Sequence, residues 1–256
     1  MLEVGTALAV NGRLPKVPEG TLVYAVGDVH GRADLLEKMH AAILKDSLDV
    51  PAERKVVVYL GDYVDRGPHS KKVVDILLER PLKGFERVHL MGNHEAFLIE
   101  FLNDVEAGPG WFFNGGLATL SSYGVKIGKH DELSYEVLQR VQEEFLGKVP
   151  KEHLEFYKTL EFSRTEGDFF FVHAGIRPGV PLDNQTDEDM LWIREEFLGC
   201  EDDYGKVIVH GHTITWEPEV KPNRIGIDTG AFASGVLTAL VLEGREQDFL
   251  TVSGPA

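Results

Sequence analysis

The sequence predicts an α/β fold with a mainly parallel sheet and a helical insertion at residues 95–160. Two patterns carry this reading. Apolar runs at residues 22–26, 55–60 and 87–91 alternate with helical spacing at 34–46 and 70–80. Such alternation joins parallel strands through crossover helices. The spacing then stays helical over 95–105, 134–146 and 151–160 before strand patterns return.

Each element has its own signal. Residues 1–20 carry Gly12, Pro15, Pro18 and Gly20 and read as an arm or loop leading in. The run Leu22-Val23-Tyr24-Ala25-Val26 is apolar throughout, as in a strand buried on both faces. Leu35, Leu36, Met39 and Ile43 line one helix face, with Asp34 near its start. Val73, Val74, Ile76 and Leu77 mark the second helix. Within the insertion, residues 108–116 form a Gly-rich aromatic connection. Strands are expected again at 168–172, 206–209, 224–228, 235–242 and 246–252. Residues 183–189 read as an acidic, solvated loop. No internal repeat interrupts a single domain spanning residues 1–256.

Composition limits the function classes. The chain has 43% hydrophobic residues, enough for a sizeable core. Lys and Arg total 26 against 42 Asp and Glu, a net charge of −16. That balance repels nucleic acid at long range, so a phosphate-bearing substrate must be attracted locally. The longest apolar runs are far short of a membrane span. The start, Met1-Leu2-Glu3-Val4, lacks a secretory signal. With one cysteine, Cys200, this points to the cytoplasm. Cys200 reads as a structural thiol: a cysteine-dependent phosphatase needs Arg where Lys206 stands, and Lys does not replace a bidentate Arg.

Five strings carry chemistry: Gly27-Asp28-Val29-His30-Gly31, Gly61-Asp62-Tyr63-Val64-Asp65-Arg66-Gly67, Gly92-Asn93-His94-Glu95, His173-Ala174-Gly175 and Gly211-His212-Thr213. Each follows an apolar run. In a parallel sheet those strand ends lie side by side, where ligands usually sit. Asp28 and His30, two apart on extended chain, can face one ion. Asp62 has two carboxylate oxygens and is the natural bridge between two ions. Asn93, His173 and His212 add an amide oxygen and two imidazoles. Such a mixed oxygen and nitrogen set suits Mn²⁺, Fe or Zn²⁺ better than Ca²⁺. Two ions about 3.5–4 Å apart can clamp a displacement at phosphorus.

The remaining polar residues supply the other roles. His94 neighbours a ligand and can give a leaving group its proton. Asp65 can orient that imidazole and hold it cationic. Arg66 can grip phosphate. Arg194 is a second candidate, although composition alone would place it on a helix surface. Glu95 reads as a brace for the helix that begins there. Asp228 and His210 read as support behind the ligands, and His89 as structure.

At these motifs the chain resembles the phosphoprotein phosphatase branch of the calcineurin-like metallophosphoesterases, in its bacterial serine/threonine phosphatase form. The strings GDVHG, GDYVDRG, GNHE, HAG and GHT, with a later IDTG, cover most of the chain. The resemblance implies a four-layer α/β/β/α sandwich with two mixed sheets and a dinuclear site at their edge. It implies that Asp28, His30 and Asp62 hold one metal, and that Asp62, Asn93, His173 and His212 hold the other. Manganese is the expected metal, with iron or zinc as alternatives. His94 and Asp65 would be the proton-donor pair, and Arg66 and Arg194 the phosphate ligands. A metal-bound hydroxide would attack phosphorus directly, with no phosphoenzyme.

The implied substrates are phosphoserine and phosphothreonine in proteins or peptides, with phosphotyrosine also open. The alternative is a symmetrical diadenosine-tetraphosphate hydrolase, that is, a dinucleoside polyphosphate substrate. Asp65 and Glu95 favour the protein-phosphatase side. Met91 stands where that branch commonly has Arg, and the eukaryotic C-terminal tyrosine motif is absent. Residues 111–124 resemble bacterial members, in which this region lies near the cleft. A nucleotide substrate needs an aromatic platform, for which Trp111, Phe112 or Tyr123 would serve unless they pack the insertion.

Overall fold

The computed structural model describes residues 10–128 and 132–255. The first nine residues of the expected N-terminal arm lie outside the described residues.

In chain order, β1 (Thr21–Val26), α1 (Ala33–Asp46), β2 (Arg54–Tyr59), α2 (Ser70–Glu79) and β3 (Glu86–His89) lead into α3 (Asn93–Asn103). Two short helices follow, α4 (Gly108–Trp111) and α5 (Leu117–Ser122), then α6 (Tyr135–Lys148) and α7 (Lys151–Lys158). The chain continues through β4 (Ser163–Glu166), β5 (Phe169–Val172), α8 (Asp187–Trp192), α9 (Glu195–Leu198) and β6 (Val207–His210). It ends with β7 (Glu219–Lys221), β8 (Arg224–Gly226), α10 (Ala231–Ser234), β9 (Val236–Glu243) and β10 (Glu246–Ser253).

The strands form two five-stranded sheets, ordered β10-β9-β1-β2-β3 and β4-β5-β6-β8-β7. Both are mixed. In each, three parallel strands (β1, β2, β3 and β5, β6, β8) adjoin antiparallel partners. The mainly parallel sheet read from strand–helix alternation is thus corrected, because β9 and β10 close as a hairpin onto β1. Strands β4 and β7 escaped the sequence reading. Both are short edge strands carrying charge, Ser-Arg-Thr-Glu and Glu-Val-Lys, with little apolar signal.

Side-chain alternation divides the core into layers. Val23, Ala25, Val56, Val58 and Val88 pack between the sheets against Phe169, Phe171, Val207, Val209 and Ile225. The opposite faces of β1 and β2, with Leu22, Tyr24, Val26, Val57 and Tyr59, pack against α1, α2 and the insertion. Phe170, Val172 and Ile208 face Met190 and Phe197 of α8 and α9. The result is the expected α/β/β/α sandwich. Burial of each large aliphatic or aromatic side chain contributes about 1.5–3 kcal/mol.

The insertion runs from α3 to α7. The Gly-rich connection 108–116 is itself helical, and one wide turn over Phe112–Gly116 is broken at Gly115 (φ 111°). Trp111, Phe112 and Tyr123 are buried, so they pack this layer and offer no base-stacking surface. The acidic stretch 183–189 is also corrected. Its second half begins α8, with Thr186 accepting from the Asp189 amide at 3.1 Å. Cys200 is a free, half-buried thiol. No helix among the described residues is long and apolar enough to cross a membrane.

His89 stacks on Tyr59 with ring centroids 5.1 Å apart, and Phe156 meets it edge-on. Burial pushes its pKa down to about 4. An unfolded histidine titrates near pH 6.5, so the unfolded chain binds the extra proton between those values. Stability from this residue is therefore present above pH 6.5 and lost as pH falls towards 4. We expect His89→Phe to lose less stability than the parent chain between pH 7 and pH 5, measured by urea unfolding. Equal losses would contradict the assignment.

Candidate metal centre and active site

The motifs follow the C-terminal ends of the parallel strands β1, β2 and β3 in one sheet and β5, β6 and β8 in the other. Their loops interlock. Val29 and His30 amides donate to Asp62 O at 3.1 and 2.8 Å, and Gly31 N to Tyr63 O at 2.9 Å. The two loops cross so closely that a Cβ on Gly31 would lie 2.5 Å from Gly67 O. The sheets are joined where the His212 amide donates to Asp28 Oδ2 at 3.0 Å.

Glu95 does more than brace a helix. Its carboxylate accepts the amides of Asp62 (2.8 Å), Tyr63 (2.8 Å), Val64 (3.2 Å) and Gly92 (3.1 Å). Six non-glycine residues among those described adopt positive φ: Asn11, His30, Asp62, Asp65, Arg66 and His212. Five of them belong to the predicted site. Left-handed backbone costs such residues about 1–2 kcal/mol each, so the loop network must hold them there.

Two groups of potential ligands converge. The ligand atoms of His30, Asp62 and His94 lie within 4.8 Å of one another, as do those of Asp62, His173 and His212. Asp62 belongs to both. Asn93 Oδ1 lies 2.9 Å from His173 Nε2 and 2.8 Å from His212 Nδ1. Asp28 joins neither group. One oxygen faces the His212 amide, and Oδ1 is buried without a partner.

The tautomers test whether a cation fits. His30 Nδ1–H donates to Val64 O and His173 Nδ1–H to Leu60 O, both at 2.8 Å. Each ring then presents an Nε2 lone pair inward. Those lone pairs meet other acceptors: His30 Nε2 lies 3.3 Å from Asp62 Oδ2, and His173 Nε2 lies 3.5 Å from Asp62 Oδ1. Acceptor facing acceptor is unfavourable unless a positive charge sits between; Arg66 supplies one at His30, whereas among the described residues His173 Nε2 meets only the oxygens of Asp62 and Asn93. His212 Nε2 is likewise buried and unpartnered. The donor set therefore fits divalent ions.

Charge sorts the histidines. Burial drives His30 down to about 3 and lowers His173 and His212, so these rings are neutral. Burial also opposes charge on His94, but Asp62 and Asp65 outweigh it and raise its pKa. Burial pushes the Asp62 carboxyl up, yet the positive charge on neighbouring His94 opposes that, and the carboxyl stays well below the usual carboxylate range.

His94 Nδ1 donates to Asp65 Oδ2 at 2.7 Å. Asp65 is fully buried and held from the insertion. Trp111 Nε1 donates to the same oxygen at 2.9 Å, and Thr119 Oγ1 donates to Oδ1 at 2.6 Å. Neither anchor was legible in sequence as a polar partner. Arg66 lies over the Phe232 ring at 4.7 Å, and its Nη1 donates to His30 Nε2 at 3.1 Å. Arg194 is no ordinary surface residue. It sits between α8 and α9 and donates to His212 O at 3.1 Å and Thr213 Oγ1 at 3.0 Å. His210 is buried, with Nδ1 near Gly211 O at 3.1 Å and Nε2 unpartnered, and it belongs to neither ligand group. Asp228 is buried beside Asp28, whose carboxyl it helps raise after burial itself.

Comparison with known proteins agrees with this geometry. The calcineurin-like phosphoesterase family model matches residues 21–232. The chain belongs to the calcineurin-like phosphoesterase family. It is accordingly a metal-dependent phosphoester hydrolase. Curated relatives include the bis(5′-nucleosyl)-tetraphosphatase PrpE (asymmetrical) of Bacillus thuringiensis (strain Al Hakam), 24% identical over 248 residues, covering 90% of this chain and 93% of the relative. The protein of the same name from Anoxybacillus flavithermus (strain DSM 21510 / WK1) is 24% identical over 249 residues, with the same coverage. A crystal structure described provisionally as a diadenosine tetraphosphatase shares 22% identity and a TM-score of 0.60, covering 97% of each chain. A cold-active protein tyrosine phosphatase shares 17% identity and a TM-score of 0.52, over 92% of this chain and 81% of that one. These two structures bear on the fold alone.

Replacing Glu95 by Ala leaves four loop amides without their acceptor. Unpaired buried donors cost about 1–3 kcal/mol each, with partial relief where water enters. We expect Glu95→Ala to lose about 3 kcal/mol or more in urea unfolding of the metal-free protein. A loss below about 1 kcal/mol would show that the loops hold themselves.

Proposed function

We propose that this chain hydrolyses dinucleoside tetraphosphates asymmetrically, releasing a nucleoside triphosphate and a nucleoside monophosphate. The observation that carries this reading is end-to-end similarity to curated relatives named for that activity, over 90% of this chain. Those relatives are named for asymmetrical cleavage, which we adopt here in place of the symmetrical cleavage of the alternative reading.

In this reading Asp28, His30 and Asp62 hold one ion, and Asp62, Asn93, His173 and His212 the other. Manganese is the metal we favour, with iron or zinc as alternatives. When bound, the ions supply Lewis-acid stabilisation of charge at phosphorus and a water of lowered pKa. The protein does the rest. Arg66 and Arg194 grip the non-bridging oxygens of the polyphosphate, Arg66 leaving His30 to do so. Asp65 fixes the His94 ring and its positive charge. His94 Nε2–H then donates to the bridging oxygen as the phosphorus–oxygen bond breaks. Water supplies the new oxygen on the monophosphate.

Phosphoprotein hydrolysis is the second reading, supported by Asp65 and Glu95 within GDYVDRG and GNHE. In the structure Glu95 grips loop amides and Asp65 orients His94. Both therefore weigh on how the site is built more than on which leaving group it accepts.

With Mn²⁺ and diadenosine tetraphosphate, we expect ATP and AMP as products by chromatography. Two ADP would overturn the asymmetrical assignment, and a higher kcat/KM on phosphopeptides would overturn the nucleotide assignment. His94→Asn should keep its metal, measured by elemental analysis, yet lose about 10²–10⁴-fold in kcat on an alkyl phosphate. The loss should be smaller on the dinucleotide, whose leaving triphosphate needs a proton less. Asp62→Asn should fail to retain two ions per chain.

A further inference from the structure

A cavity of about 360 Å³ opens beside the site, lined by Arg177, Glu188, Asp189, Trp192, Arg194 and Glu195 among others. We infer that it is the nucleobase subsite, taking the amino-bearing base of a substrate whose phosphates lie against Arg194 and the metal ligands. This rests on the dinucleotide reading above and adds how the base is recognised.

Four observations support the inference. The cavity adjoins the candidate centre through Arg194. Arg194 lines it and also donates to the backbone of His212 at 3.1 Å. Trp192, at the end of α8, supplies a fixed aromatic surface. Phe97 meets it edge-on at 4.9 Å and His212 at 6.3 Å, yet the residue is still 40% exposed. Such a ring is restrained before any ligand arrives, so stacking costs little ordering.

The charges set which group enters. Arg177 pairs with Asp189 at 2.6 Å and Glu196 at 2.9 Å, which satisfies both carboxylates. Glu188 and Glu195 are exposed, and among the described residues their carboxylates have no ion-pair or hydrogen-bond partner. An anionic group is repelled from this part of the cavity and held at the Arg194 edge. A flat ring with N–H donors suits Trp192 and two free acceptors. Adenine and guanine carry an exocyclic amino group that suits these acceptors, whereas uracil has none and its single ring N3–H is flanked by carbonyl oxygens that the carboxylates repel. A basic peptide side chain would meet the same carboxylates, but Arg194 at the rim opposes it.

The test compares kcat/KM on diadenosine tetraphosphate, diuridine tetraphosphate, p-nitrophenyl phosphate and a phosphopeptide with a basic flank. The variants are Trp192→Ala, Trp192→Phe and the double change Glu188→Gln with Glu195→Gln. In Trp192→Ala the ratio of diadenosine tetraphosphate to p-nitrophenyl phosphate should fall about tenfold or more, mainly through KM, as loss of a base stack implies. Trp192→Phe should restore part of it, and covers the case in which the alanine variant does not fold. The double variant should narrow the preference for the adenine over the uracil substrate. If the parent cleaves diadenosine tetraphosphate and the ratio holds within about twofold in both Trp192 variants, this inference is wrong and the function stands. A loss confined to the basic phosphopeptide would overturn it in favour of peptide binding. If the parent does not cleave the dinucleotide, the function and this inference fail together.

Discussion

One buried carboxylate organises the loops at the strand ends. Glu95 accepts amides from Gly92 on its own loop and from Asp62, Tyr63 and Val64 on the loop after β2. Three of those amides belong to the turn in which Asp62 adopts left-handed backbone, φ 52°. Without an acceptor they would be buried and unpaired, and the turn would have no reason to persist. Glu95 thereby fixes where Asp62 stands. Asp62 in turn receives the His94 amide at 3.1 Å and sits among four imidazoles.

From that placement the chemistry divides without further assumptions. Three histidines lose charge to burial and keep lone pairs directed inward. The fourth, His94, faces two carboxylates and keeps its charge. The same residue type thus offers candidate metal ligands on one side and a candidate proton donor on the other, set by burial and by which carboxylates stand near each ring. The insertion contributes by holding Asp65 through Trp111 and Thr119. A layer that reads as helical packing in sequence therefore also sets the acid.

Much of this was legible because strand ends and short polar strings repeat one relation, an apolar run followed closely by a potential ligand. Asp28, Asp62, Asn93 and His212 surfaced as candidates directly after a Gly, His30 two residues beyond Asp28, and His173 directly after its run. The four layers came from family resemblance, since strand alternation alone gave one mainly parallel sheet. What stayed hidden depends on contacts between distant segments. The Trp111 and Thr119 bonds to Asp65 span 46 and 54 residues. No local pattern marks Thr119. The Trp-Phe-Phe string left packing and base stacking both open, and burial of Trp111 decides for packing. Trp192 carried no signal of its own in the sequence; it stands 40% exposed at the last position of α8. Asp65 and Glu95 pointed towards protein phosphatases, yet both shape the loops and the acid, which different substrates can share.

The central claim is that Asp62 stands between two cations gathered by the surrounding histidines and Asn93. The most direct measurement is anomalous diffraction at the manganese edge from crystals grown with Mn²⁺. The account predicts two peaks about 3.5–4 Å apart, both bound by Asp62, one also by His30 and the other by His173 and His212. A single peak, or two peaks with Asp62 bound to neither, would contradict it.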